Sequence, residues 1–145
     1  MLEDLELAKK KLHEKSLTLV VIKDSKVLFE SKAHGVYAFL EALDKFGGKM
    51  RGTSVADKVV GKAIALLCIY ARVRAVYAST ISIKAKQAFE NYGIYFEWGE
   101  LVEKILDASG KNVCPFEKAA MKIDDPKKAY GKLKALLNSL KSKHK

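Results

Sequence analysis

Cysteine is scarce in this chain of 145 residues. Cys68 and Cys114 stand 46 positions apart, without the short repeat spacing of a zinc site or a disulfide framework. Two thiols so placed fit a reduced, cytoplasmic protein. Long apolar runs are missing as well. The barest stretch, AIALLCIYA (Ala63 to Ala71), is far too short to span a bilayer. The opening MLEDLELAKKKLHEK has neither the apolar core nor the small-residue cleavage site of a signal peptide, so no membrane partner is expected. There is no internal repeat, no linker and no low-complexity segment before the lysine-rich end. Glutamine occurs once and asparagine three times, a scarcity compatible with a thermophilic source.

Acidic residues are absent after Pro126, where seven lysines fall. The rest of the chain therefore holds 20 basic and 17 acidic side chains, although the formal net charge is +10. The body is close to neutral, and the excess sits in PKKAYGKLKALLNSLKSKHK. Such an end can hold phosphates loosely, but it has no interleaved aromatics and no base-reading motif, so a nucleic-acid partner is not expected. With 49% hydrophobic residues, residues 1–145 suit one α/β domain able to bury a core without metals or disulfides. Its lysine-rich final helix and tail cover 126–145.

The order of elements follows from periodicity. A charged helix opens the chain. LTLVVIKDSKVLFES then gives two runs of β-branched and aliphatic residues around Asp24-Ser25, a hairpin with strands near 17–23 and 26–31. VYAFLEALDKF places Phe39, Leu40, Leu43 and Phe46 at helical spacing and stops at Gly47-Gly48. A loop, Gly47 to Ser54, follows. Ser54 to Ala71, SVADKVVGKAIALLCIYA, has all its charge in the first half and reads as one central helix, its second half buried. RAVYAS is a short strand, ISIKAKQAFENYG a helix ending at Gly93, and IYFEW a further strand. GELVEKILDASG reads as a helix closed by Gly110. PFEKAAMKI is a helix with proline at its first position. Asp124-Asp125-Pro126 starts the last helix, whose apolar face is Tyr130, Leu133, Leu137 and Leu140. Alternating helices and strands with short links signal a parallel sheet attached to an initial antiparallel hairpin.

Three places carry chemistry. At the start of the central helix, Ser54, Asp57, Lys58 and Lys62 meet unpaired N–H groups and a positive dipole end, which favour an anionic or polar ligand. Gly61 has no propensity reason to sit in a helix and lets another group approach. The alternative is that Ser54 or Thr53 merely caps the helix and the lysines are solvated. Cys114 stands at the start of the PFEKAAMKI helix, where a thiol is activated, with Glu117 and Lys118 nearby. The alternative makes Cys114 a stand-in cap with Glu117 bonding back to it. The histidines, His13, His34 and His144, read as surface residues, with a Cys114–His34 pair as the remaining catalytic option. The loop Gly47 to Ser54 holds three glycines and two cations but lacks the G-x-x-x-x-G-K-[ST] pattern, and reads as a flexible connection. Ser79-Thr80 ends a strand, where open α/β sheets bind ligands, or else caps the next helix.

ADKVVGKAIALL (Ala56 to Leu67), RAVYAS and CPFEKAAMKIDDP (Cys114 to Pro126) resemble an uncharacterised bacterial family of unknown function with a cytidine-deaminase-like fold, over roughly residues 5 to 137. The resemblance implies a three-layer α/β fold: a mixed sheet with an N-terminal antiparallel hairpin followed by parallel strands, and extra C-terminal helices. Zinc deaminases carry H-x-E or C-x-E at one helix start and P-C-x-x-C at another. Here the matching places read Val-Ala-Asp-Lys and Ser-Thr-Ile-Ser-Ile. All three metal ligands are missing, so no cofactor and no zinc-dependent deamination are expected. Asp57 would stand about where the deaminase glutamate stands. The leading expectation is a small polar or nucleotide-like ligand held by Ser54, Asp57, Lys58, Lys62, Ser79, Thr80, Cys114, Glu117 and Lys118. The alternatives are an enzyme with Cys114 as nucleophile and a basic-tail module for RNA or an acidic partner. A homo-oligomer is left open.

Overall fold

In the computed structural model, which describes residues 2–107 and 109–143, α1 (Glu3–Glu14) buries Leu5, Ala8 and Leu12 on one face. Glu3, Asp4 and Glu6 in its first turn oppose the positive end of the dipole. β1 (Leu19–Lys23) and β2 (Lys26–Ser31) form the expected hairpin. Asp24 and Ser25 both take positive φ, 50° and 67°, as a two-residue turn matched to strand twist requires. α2 (Gly35–Phe46) follows and ends in a 3-10 turn, Gly47–Met50, so the glycine loop begins as a wound segment.

The central element departs from the helix expected over Ser54 to Ala71. Its first half is β3 (Ser54–Val60); only the bare half is helical, as α3 (Lys62–Ala71). Gly61 divides them in extended backbone, φ −99° and ψ −175°. The physical reason is burial on both sides: Val55 packs into the large helix-side core and Ala56 into the smaller core under α1. A run rich in valine, sandwiched in this way, is more stable as a central strand than as a helix end. β1 alternates likewise, Leu19 and Val21 facing one core and Val20 and Ile22 the other.

The sheet order is β2-β1-β3-β4-β5. β1 is antiparallel to β2 and β3, whereas β3, β4 (Ala75–Ser82) and β5 (Tyr95–Val102) run parallel. Helix α1 covers one face; α2, α3, α4 (Ile83–Tyr92), α5 (Pro115–Ala120) and α6 (Pro126–Lys143) pack on the other. These are the three layers. β4 outruns RAVYAS by three residues, so Ser79 and Thr80 are strand residues and Ser82 caps α4, accepting the Ala85 N–H at 3.2 Å.

The helix expected over Gly99 to Gly110 is not formed. β5 continues through Val102 because Glu100, Leu101 and Val102 pair with Thr80, Ile81 and Ser82 of β4. Such pairing outweighs helical periodicity in a run whose apolar residues suit either state. Gly99 has a steric role, since a Cβ there would lie 2.8 Å from Ser79 O. Beyond β5 the described residues to Val113 hold one isolated bridge, Leu106 to Val113.

The lysine-rich end is a docked helix. Leu133 and Leu137 are buried, Tyr130 and Leu140 pack beside them, and the Tyr130 ring stacks on Tyr70 with centroids 4.5 Å apart. Asp125 caps α6 by accepting the Lys128 N–H at 3.1 Å. His144 lies outside the described residues. Leu133→Ala should cost about 2–5 kcal/mol of unfolding free energy in urea titration, as for a large aliphatic residue removed from a packed core; a change below 0.5 kcal/mol would show that α6 is not part of the cooperative unit.

Candidate functional site

The first turn of α3 already has its anion, and the anion is part of the chain. Glu117, from α5, accepts the Lys62 N–H on Oε2 and the Ala63 N–H on Oε1, both at 2.9 Å. Two of the donors that every helix start leaves open are thereby satisfied, and the carboxylate meets the positive end of the dipole. Burial pushes the Glu117 carboxyl up from its usual range, while the two N–H bonds and the nearby Lys62 and Lys84 ammoniums pull it back. Gly61 makes this contact possible, because a Cβ there would run into the Glu117 carboxylate. The close approach expected at Gly61 is thus made by Glu117. The expectation that Glu117 bonds back to Cys114 fails for the same reason; the Cys114 N–H donates to Ile105 O at 3.1 Å instead.

Lys62 is likewise occupied. Its ammonium donates to Asp124 Oδ1 at 2.9 Å and to Met121 O at 3.0 Å. It pins α3 to the link between α5 and α6, and it does not share a helical face with Lys58, which belongs to β3. Ser54 is buried at the far end of β3, beside Ile22 and Ala75. Thr80 pairs in the ladder between Val59 and Glu100, and Ser79 lies next to it on β4. Lys118 is exposed on α5. None of Ser54, Ser79, Thr80 and Lys118 lines a described cavity.

Asp57, Lys58, Cys114 and Glu117 do come together. They border a cavity of about 470 Å³ walled by Val36, Tyr37, Ile64, Phe116 and Leu140, with His34 at its edge. Asp57 sits on β3 opposite Leu19 of β1, facing the helix layer as Val55 does two residues earlier. It is 2% exposed. Oδ1 accepts the Val59 N–H at 3.3 Å, and Oδ2 has no partner among the described residues. Burial dominates its titration and pushes the carboxyl up to about 8, against the smaller opposing pull of the Val59 and Lys58 N–H groups. A carboxyl of this kind is protonated at neutral pH and can donate one hydrogen bond while accepting another.

Its placement corrects the sequence reading. Asp57 is on the strand before the helix, so it does not stand at the helix start where a deaminase glutamate would. In the sequence His34 stands out only as a partner for Cys114, and the apolar wall of Tyr37 and Phe116 carries no local signal. Cys114 is half-buried and its thiol is free; Cys68 is sealed in α3, where burial and the nearby Asp57 push its thiol well up. Among the described residues no group of three or more His, Cys, Asp or Glu side chains is placed to hold a metal ion, and no helix is long and apolar enough to cross a membrane.

Against known proteins, residues 7–137 match the TM1506 family, described as a domain of unknown function (DUF1893). The crystal structure of a DUF1893 family protein from Thermotoga maritima is 31% identical, with a TM-score of 0.83, over 94% of this chain and 89% of that one. Partial likenesses include Acinetobacter baumannii RibD, 25% identical over 67% of this chain and 33% of that one, with a TM-score of 0.44. A dCMP deaminase from the cyanophage S-TIM5 is 14% identical over 68% of this chain and 94% of that one, with a TM-score of 0.47. No curated protein matches the chain.

Two measurements check the geometry. Glu117→Ala should lower stability by about 2–3 kcal/mol, because two helix N–H groups lose a charged acceptor. Gly61→Ala should also destabilise, yet adding it to Glu117→Ala should cost little more, since the obstructing carboxylate is gone; strict additivity in a double-mutant cycle would contradict the contact. For Asp57 the sign is set by a folded pKa near 8 against about 3.9 in the unfolded chain. The folded state holds the extra proton, so this group's contribution is greatest below pH about 4 and is lost as pH rises through about 8. Asp57→Asn should therefore flatten the fall of Tm between pH 5 and pH 8, and an unchanged slope would show that the carboxyl is ionised in the folded state.

Proposed function

This chain belongs to the TM1506 family of domains of unknown function, and we propose that it binds a small polar ligand in the cavity at the end of β3, with the Asp57 carboxyl as the polar anchor. One observation carries this reading: Asp57 lines a cavity of about 470 Å³, and its Oδ2 is buried with no hydrogen-bond partner among the described residues. A buried polar atom left alone is costly, and native structures satisfy nearly all of them. The cavity is of a size that encloses small organic molecules. Its apolar walls, Tyr37, Ile64 and Phe116, would cover a ring or chain, and the protonated carboxyl would meet the amide or hydroxyl edge of the ligand.

A second reading is favoured by one further fact: Cys114 and His34 border the same cavity as Asp57. In that reading the thiol attacks a bound electrophile and the ligand pocket is an active site. Alkylation of Cys114 against pH separates the two. A rate rising well below the pH at which a small-molecule thiol becomes reactive, and restored to that pH by His34→Ala, supports catalysis; the behaviour of an ordinary thiol leaves binding alone.

For the leading reading the check is thermal shift against a panel of nucleosides, small amides and sugars. At least one compound should raise the Tm of the wild type by several degrees and lose that effect on Asp57→Ala. Coupling Cys114 to a bulky maleimide should abolish the same response. Equal shifts for wild type and variant, or none with any compound, would refute the role given to Asp57.

A further inference from the structure

Thr18 ties two lysines to one edge of the Asp57 cavity. Its carbonyl accepts the Lys58 N–H at 2.9 Å, its own N–H donates to Ser31 O at 2.9 Å, and its hydroxyl donates to Ala33 O at 2.7 Å. Lys32 lies between Ser31 and Ala33, so the backbones of Lys32 and Lys58 are fixed on either side of Thr18, and all three residues line the cavity. Both ammoniums are without an ion-pair partner among the described residues. Seven other lysines, Lys9, Lys10, Lys15, Lys45, Lys62, Lys86 and Lys134, each face a carboxylate within 4 Å among the described residues.

The acids around the same space oppose this charge only in part: Glu117 lies against the positive end of the α3 dipole, whereas Asp107 stays a carboxylate, its hydrogen bonds favouring the charged form. Both oxygens of Glu117 are taken by α3 N–H groups. Asp107 is turned to Ser109, accepting both its N–H and its hydroxyl on Oδ1. Asp57 is buried and forms the floor. The cavity thus has a polar floor at Asp57, apolar walls and two lysines at one edge set against the carboxylate of Asp107. Low-dielectric walls concentrate the field of such an edge on whatever enters.

We infer that the ligand is a small organic anion, its phosphate or carboxylate held by Lys32 and Lys58 while its uncharged polar end meets Asp57. This rests on the binding role proposed for the same cavity. Lysine suits the task, since three rotatable donors on a flexible stem reach an anion without demanding a planar partner.

Cys114 gives a test that does not require the natural ligand. The full chain is labelled with two methanethiosulfonates of similar size, one carrying a sulfonate and one a trimethylammonium group. In each case the Cys114 thiolate attacks the sulfenyl sulfur, an S–S bond forms and methanesulfinate leaves. Cys68, 0% exposed, stays out of the reaction, and Cys114→Ser is the blank. The rate ratio of anionic to cationic reagent should exceed that of 2-mercaptoethanol by roughly tenfold, shrink as sodium chloride is raised, and collapse in Lys32→Ala/Lys58→Ala. Both lysines are exposed, so the variant keeps its core.

Phenyl phosphate and benzoate, the two anion chemistries, should slow the labelling more than benzamide at equal concentration and ionic strength, and whichever is stronger identifies the head group. A charge ratio like that of the free thiol, or one unmoved in the double variant, overturns the inference, and so does the absence of protection by either anion. Protection by benzamide that Asp57→Asn removes, with no advantage for the anions, overturns the anion inference and leaves the Asp57 reading in place. Anion protection that Asp57→Asn does not alter sinks the Asp57 reading and leaves the lysine edge standing.

Discussion

The contact of the Glu117 carboxylate with the first two N–H groups of α3 holds the functional end of this protein together. It closes a helix start at the middle of the sheet, where open donors would otherwise invite water into the core. It fixes α5 and therefore Cys114 and Phe116 on one side of the cavity. It also requires a residue without a side chain at Gly61. The Lys62 ammonium adds a second clasp from the same turn to Asp124 and Met121, so both termini of the α5 segment are moored to α3.

A helix N-terminus in an α/β fold commonly serves external anions. Here that capacity is filled from within, and the free polar chemistry lies one element earlier, at the end of β3. Among the described residues Asp57 is the buried side chain left unsatisfied, and its setting is apolar enough to favour the protonated form. Lys32 and Lys58 border the same cavity as Asp57, so under the proposed binding role one small molecule would meet two different kinds of recognition.

Much of the architecture was legible because local signals and tertiary contacts agree. The hairpin announced itself through Asp24-Ser25 between aliphatic runs, α2 through its apolar spacing, and α3 through a half-helix with no charge. The error over Ser54 to Val60 arose because valine and alanine fill a buried strand or a buried helix equally well, and a strand covered on both faces shows no alternation. The missed signal was Gly61, which the sequence placed between the two states. Over Gly99 to Gly110 the apolar residues at helical spacing competed with a parallel ladder set by β4, and only the neighbour strand decides such a case.

The site was half legible. Asp57 and Cys114 stood out as polar groups beside apolar runs, and they do border one cavity. What brings them together is the docking of α5 on α3, between residues more than fifty positions apart, and no local pattern encodes it. Ser79 and Thr80 were displaced from the site by three extra residues of β4. Lys32 left no signal beyond its charge, because its placement depends on the bonds Thr18 makes to both strands.

The separation in sequence between Glu117 and the start of α3 also dictates the order in which the molecule can be completed. During synthesis the sheet strands β1, β3 and β4 emerge with a central helix whose first turn has no acceptor and whose lysine has no counter-charge. Those partners reach it only after residues 117 and 124 have left the ribosome. Closing so long a loop is entropically slow. The first hundred residues therefore emerge without these contacts, and the last quarter of the chain supplies the latch that closes the start of α3.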